Sequence, residues 1–305
     1  MAKRKPPGRA KGAPHEPKRP KRPNKSPEKL PGRRPTGPAG KAGGGDRYWL
    51  YGWHAVRAAL ANPARTILDA RATPEAQKRL GAETRGSLEA RGVTLEPASR
   101  AELDALLPAG AVHQGVALEV RPLTPPALAD WLDRIGLGEA AQARDPADPR
   151  NPANPRAVLV ALDQVSDPHN VGAVLRSAAA FGALAVLAPR HGQAPETGAL
   201  AKAASGALDV VPYIDAGNLA RALGHLKQRG FWILGLAGEA NQELAAADPG
   251  GALVLVLGGE GRGLRRLTRE ACDLMACLPT RPPIDQLNVS NAAAVALYEL
   301  LGREG

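Results

Sequence analysis

The chain has 305 residues, room for about two domains on the usual ~150-residue scale, and 44% of them are apolar. Its formal charge of +10 sits in the first 45 residues, where 14 Lys and Arg face two Glu; the remainder is slightly acidic. The sequence shows no apolar leader, no 18-residue apolar run and no zinc-type cysteine set, which predicts a cytoplasmic protein that neither crosses a membrane nor depends on a metal.

Residues 1–45 are almost entirely Lys, Arg, Pro, Gly and Ala, with Leu30 their one large aliphatic side chain. Such a segment buries too little surface to offset its ordering entropy, so it reads as a disordered basic arm. It is either a polyanion binder acting through counterion release or a solubilising tail. Folded sequence begins near Asp46. Residues 50–61 (LYGWHAVRAALA) carry helical spacing; apolar runs at 66–70, 93–96 and 115–120 alternate with helical stretches at 74–91 and 99–107. This predicts a small α/β domain over 46–121.

Residues 122–156 hold a possible short helix at 127–135 and are then rich in Pro, Asp, Asn and Arg, the composition of a linker. From 157 to 305 continuous apolar runs at 157–162, 184–188, 209–211, 231–236 and 252–257 alternate with helical stretches at 170–181, 197–204, 217–229, 264–271 and 289–301. Strands without polar alternation, separated by helices, predict a parallel sheet covered on both faces, with ligands beyond the carboxyl ends of its strands. Cys272 and Cys277, with no neighbouring histidine, are expected to be buried thiols in a reducing compartment.

Three strand-end loops stand out. In DQVSDPHNVGAVLRSAAAFGA (163–183), Asp167 and Pro168 open a helix as cap and first-turn residue. Asn170 and Arg176 follow, each by itself readable as an ordinary surface side chain. In LVLVLGGEGRGLRR (253–266), four glycines surround Glu260. A dinucleotide fingerprint begun at Gly259 or Gly261 meets Leu264 or Arg266 where its third glycine belongs, and a phosphate loop spanning Gly258 and Gly263 is followed by Leu264 and Arg265 instead of Lys and Ser or Thr. Glu260 would also repel a pyrophosphate, so the loop suits a ligand bearing a cation or hydrogen-bond donors. In the third loop Asn288, Ser290 and Asn291 cluster before the last helix, more polar side chains than an N-cap needs.

Taken together, DPHNVGAVLRSAAAFG, LVLGGEGRGL and LPTRPPIDQLNVSNAAA resemble, in order and spacing over about 145 residues, the three motifs of the SpoU/TrmH family of RNA ribose 2′-O-methyltransferases. YGWHAVRAAL and VHQGVALEV resemble the small L30e-like RNA-binding domain of the bacterial subgroup that modifies a guanosine in 23S rRNA. The resemblance implies an α/β chain with a knotted (SPOUT, trefoil-knot) parallel-sheet methyltransferase domain, S-adenosyl-L-methionine as methyl donor and a homodimer packed through the knotted region. Knots are rare, and nothing in composition or periodicity would suggest one. The resemblance also implies cofactor contacts near Gly258, Leu278, Leu287, Asn288 and Ser290, and catalytic roles for Arg176, Asn170, Glu260, Ser290 and Asn288.

Methyl transfer to a 2′-hydroxyl needs in-line positioning and removal of the hydroxyl proton. The family's proposed base matches Arg176, a role at odds with a guanidinium pKa above 12, so its protonation state stays open. Glu260 either contacts RNA or shapes its loop. His113, beside Gln114 in the small domain, is either a structural surface histidine or an RNA contact. A tRNA ribose methyltransferase of the same family, and a non-catalytic RNA-binding paralogue, are the competing readings.

Overall fold

The computed structural model describes residues 47–135, 156–283 and 286–302. The basic arm (1–45), the Pro- and Asp-rich insert (137–155) and the last three residues lie outside the described residues.

A four-stranded mixed sheet comes first, in the order β1-β4-β2-β3. It comprises β1 (Tyr48–Tyr51), β2 (Ile67–Ala72), β3 (Leu95–Pro97) and β4 (Val116–Val120). The strand β1 was not expected, because residues 50–61 read as one helix. In the structure Gly52, at φ 87°, ends the strand, and α1 (Trp53–Ala61) starts behind it. Helix α1 buries Ala55, Val56, Ala59 and Leu60 against one face of this sheet, with α2 (Pro74–Glu89) beside it. Helix α3 (Arg100–Leu106) packs Leu103 with Tyr51 and Ala117 on the other face, and a Ser99–Glu102 capping box starts it.

The second sheet has six strands, all parallel, in the order β10-β8-β9-β5-β6-β7. They are β5 (Val158–Asp163), β6 (Ala185–Ala188), β7 (Tyr213–Asp215), β8 (Trp232–Leu236), β9 (Leu253–Gly258) and β10 (Leu274–Ala276). The expected covered parallel sheet is therefore present. Alternate residues of β5 face opposite cores. Val158, Val160 and Leu162 pack with α5 (Pro168–Phe181), α6 (Gly198–Ala204) and α10 (Val289–Leu297). Leu159 and Ala161 pack with α4 (Leu128–Arg134) and α7 (Leu219–Gln228). Trp131 and Leu132 of α4 are buried there, so the first part of the 122–156 segment is docked on the sheet.

The run at 209–211 is not a strand. A 3-10 turn occupies Ala207–Asp209, Val210 is 68% exposed, and β7 begins only after Pro212. The short β10, α8 (Leu244–Ala247) and α9 (Arg266–Glu270) complete the fold, and a π turn (Tyr298–Gly302) follows α10. Both cysteines are free and half-buried, not fully buried as expected. His113 is buried at 5% exposure, so the surface-histidine expectation fails. Its Nδ1 accepts from the Gly115 N–H at 3.0 Å and its Nε2 faces Asp104 Oδ1 at 3.1 Å. Those bonds occupy both ring nitrogens, which makes His113 structural.

Candidate active site

The order of the parallel sheet decides where a ligand can sit. From β5 the chain moves outward to β6 and β7, whereas β9 joins the opposite flank beside β8. The loops leaving β5 and β9 thus diverge at neighbouring strand ends, with Asp163 in register with Gly258. Asp163 is fully buried and clamps these loops together. Its carboxylate accepts from the Arg265 backbone N–H at 2.7 Å and from Arg265 Nε at 2.6 Å, and its carbonyl accepts from the Gly259 N–H at 2.8 Å.

The glycine loop folds back on itself inside that clamp. A Cβ on Gly258 would stand 2.4 Å from the Gly263 carbonyl carbon, and one on Gly259 would stand 2.4 Å from the Gln164 carbonyl oxygen. No side chain can relieve either overlap, since both obstacles are backbone. Gly258 and Gly259 are therefore demanded by close chain approach.

A cavity of about 310 Å³ opens beside this loop, beyond the ends of β8, β9 and β10. Gly258, Leu278 and Leu287 line it, together with Val289 and Ala292 of α10. Asn288 and Ser290 are not among its lining residues, although both adjoin Val289. The opposite wall is the end of β8 and the loop after it, including Leu236, Gly238 and Glu239. Glu239 is held by Arg269 Nη1 at 2.7 Å; a bond from backbone N–H and this guanidinium keep its carboxyl below the usual carboxylate range. Sequence reasoning passed over this wall. The available signal was the strand end itself, where FWILGL runs into Gly238 and Glu239.

At the mouth of the cavity the three motif loops meet on Glu260. Asn170, in the first turn of α5, donates from Nδ2 to Glu260 Oε1 at 3.1 Å. Asn288 donates from Nδ2 to the same Glu260 oxygen and to Asn170 Oδ1, the latter at 3.1 Å. The Oδ1 of Asn288 accepts from Ser290 N at 2.9 Å and Ser290 Oγ at 2.6 Å, which caps α10. One amide therefore serves the helix with its oxygen and the carboxylate with its nitrogen. Asp167 caps α5 by accepting from His169 N at 2.9 Å. Arg176 stands apart from this cluster: it is exposed on α5 and its side chain makes no hydrogen bond or ion pair among the described residues. Among the described residues no group of three or more His, Cys, Asp and Glu is arranged to hold a metal, and no helix is long and apolar enough to cross a membrane.

Comparison with known proteins places the chain among relatives. Residues 157–298 match the model of the SpoU rRNA Methylase family, and residues 49–126 match that for RNA 2′-O ribose methyltransferase substrate binding. The 23S rRNA (guanosine-2′-O-)-methyltransferase RlmB of Pseudomonas syringae is 41% identical over 262 residues, covering 83% of this chain and 94% of that protein. The protein of the same name from Ralstonia nicotianae is 40% identical, covering 82% and 93%. Among solved structures, the SpoU methyltransferase AviRb of Streptomyces viridochromogenes, in complex with the cofactor AdoMet, superposes with a TM-score of 0.65 at 18% identity, over 85% of this chain and 90% of that one. An RNA 2′-O ribose methyltransferase superposes with a TM-score of 0.62 at 23% identity, over 85% and 89%. With the motif loops gathered at one strand-end cavity and relatives this similar along nearly their whole length, the chain belongs to the SpoU rRNA methylase family.

Proposed function

We propose that this protein transfers a methyl group from S-adenosylmethionine to the ribose 2′-hydroxyl of a guanosine in 23S rRNA. The observation that carries this reading is the convergence of Asn170, Glu260 and Asn288 at the mouth of the strand-end cavity, in a chain about 40% identical to proteins of that activity. The small mixed sheet (46–121) is the RNA substrate-binding unit in this reading, and 157–305 the methyltransferase unit.

The cavity's chemistry suits the cofactor. Leu278, Leu287 and Val289 offer an apolar wall for a purine, the backbone of the glycine loop offers amides and carbonyls, and Glu239 and Glu260 place carboxylates near a cationic ligand. When bound, S-adenosylmethionine supplies an electrophilic methyl group. The residues of this chain do the rest. Arg176 orients an RNA phosphate and stabilises charge building on the 2′-oxygen. Asn170 and Asn288 hold Glu260 in one geometry, so the loop wall is set before substrate arrives. Ser290 fixes the Asn288 oxygen and thereby the direction of its nitrogen.

The reading extends to a trefoil knot through the C-terminal segment, a homodimer and a cytoplasmic location. Val295 and Tyr298, 47% and 51% exposed on or just after α10, are apolar side chains for a second copy to cover. The deciding experiment is methyl incorporation from labelled cofactor into 23S rRNA of a strain lacking the gene. Incorporation is expected with the native protein and is lost with Arg176→Ala. Absence of transfer by the native protein to any RNA would leave a binding protein instead.

A further inference from the structure

Away from the active site, a polar cluster lies between the two sheets and is centred on Arg65. This residue, in the turn between α1 and β2, is 2% exposed. Its Nε donates to Asp209 Oδ1 at 2.7 Å, and its Nη1 donates to Glu196 Oε1 at 2.5 Å and to the Arg121 carbonyl at 3.0 Å. Tyr48 Oη donates to the same Glu196 oxygen at 2.7 Å, Asn62 Nδ2 donates to Asp209 at 3.1 Å, and the Leu123 N–H donates to Glu196 Oε2 at 3.2 Å. Tyr48, Asn62 and Arg65 belong to the small unit. Glu196 and Asp209 flank α6 in the parallel-sheet unit.

Helix α6 is itself pressed onto α5, the helix that carries Asn170 and Arg176: Leu200, Ala203 and Ala204 meet it at Gly172. The backbone of β1 approaches α6 so closely that a Cβ on Gly198 would stand 2.6 Å from the Trp49 carbonyl oxygen. At the far edge Lys202 Nζ donates to the Val112 carbonyl at 3.0 Å. Contacts from β1, the α1–β2 turn and the loop before β4 thus all land on α6 or its flanks.

A buried guanidinium shared by two carboxylates is a poor source of stability, because desolvation offsets most of the attraction. Here Arg65 Nη2 and Asp209 Oδ2 are also buried without a hydrogen-bond partner among the described residues. What such a cluster does supply is direction, since planar charge-assisted bonds hold only at one relative orientation. We propose that Arg65, with Glu196 and Asp209, locks the small unit in a single orientation over the α5–α6 pair. RNA held by that unit is then presented to Arg176 and Asn170 at a preset distance. Arg65 is a positioning residue, and this role rests on the RNA methyltransferase reading above.

The test uses the full chain and two readouts. Spin labels at Glu83→Cys and Arg221→Cys, in a background of Cys272→Ala and Cys277→Ala, report the distance between the units. The native cluster is expected to give one narrow distribution. Neutralising it with shape-conserving changes (Arg65→Met, Glu196→Gln, Asp209→Asn together) avoids stranding a buried charge and is expected to broaden the distribution. The same triple variant is expected to lose at least tenfold in kcat/KM for rRNA while its Kd for S-adenosylmethionine stays within twofold of native. A broad distribution in the native protein overturns the proposal, whether or not the variant folds. So does a folded triple variant with a narrow distribution and unchanged kcat/KM. Failure of the native protein to methylate rRNA would refute the functional reading alone, since the distance measurement decides the lock by itself.

Discussion

Asn170 and Asn288 lie 118 positions apart in the chain, yet the Asn288 amide nitrogen rests 3.1 Å from the Asn170 amide oxygen, and both amides bind the same Glu260 carboxylate oxygen. The pair ties the first turn of α5 to the cap of α10 through a residue of the glycine loop. Asn288→Asp separates the two jobs of that side chain. Aspartate still caps α10, but it offers no donor to Glu260 and adds a second negative charge beside it. Methyl incorporation should fall at least tenfold while thermal unfolding barely moves. Asn288→Ala should also lose the cap, at about 1 kcal/mol in denaturant titration. Native activity in Asn288→Asp would remove this cluster from the mechanism.

Arg176 makes no bond to lose among the described residues, so its replacement should be nearly silent in folding, within about 0.5 kcal/mol. Its effect should appear in turnover. Arg176→Ala is expected to lower kcat by roughly 10²-fold or more, the scale for removing a group that stabilises developing charge. Arg176→Lys should recover part of that, because charge returns without the planar fork. Single-turnover kinetics separates this outcome from weaker RNA binding.

Gly259→Ala puts a methyl group against the Gln164 carbonyl, where only backbone movement can relieve it. The expected cost is about 1–3 kcal/mol of stability. Since the same loop forms one wall of the cavity, calorimetry should show cofactor affinity falling by more than tenfold.

Burial pushes the Cys272 thiol up to about 11 from an ordinary 9, while its Sγ contacts the Thr268 carbonyl at 3.3 Å. The folded chain therefore holds this proton more tightly than the unfolded chain does. The resulting stability is complete below pH 9 and is lost as pH rises through about 11. Burial raises the phenols of Tyr48 and Tyr213 in the same direction. Alkylation of Cys272 followed by mass spectrometry should give a rate midpoint near pH 11, and Cys272→Ala should flatten part of the alkaline fall in denaturation midpoint.

Removing residues 1–45, with their 14 basic side chains, should weaken RNA binding and reduce its salt slope while leaving cofactor affinity unchanged. An unchanged slope in binding measured across salt concentrations would assign the arm to solubility.

Much of this architecture is legible in the chain because long apolar strands carry their own signal. Runs such as ALVLVL are buried on both faces, and only a covered parallel sheet accommodates several of them. The loops at their ends are legible for the same reason. Short elements are harder to read. Val210 and Val211 look like a strand, yet the three residues of β7 lie beyond Pro212, where the edge of β6 decides the pairing. The partners within the site are harder still. Nothing local tells that Asp163 will meet Arg265 across 102 positions, or that Glu239 will face the glycine loop, because both depend on which strands become neighbours. His113 shows the opposite failure: a polar side chain between Val112 and Gln114 reads as surface, and the Asp104 and Gly115 contacts that bury it come from tertiary structure.

The chain order of the Glu260 cluster has a consequence for synthesis. Asn170 and Glu260 emerge from the ribosome before Asn288, and Asn288 is also the cap of the helix that closes the cavity. A nascent chain can therefore form its small sheet and most of its parallel sheet while still lacking the mouth of its own pocket. The cluster is completed in a single late step, when α10 docks, so any stall or truncation short of that helix leaves Asn170 and Glu260 without their Asn288 partner.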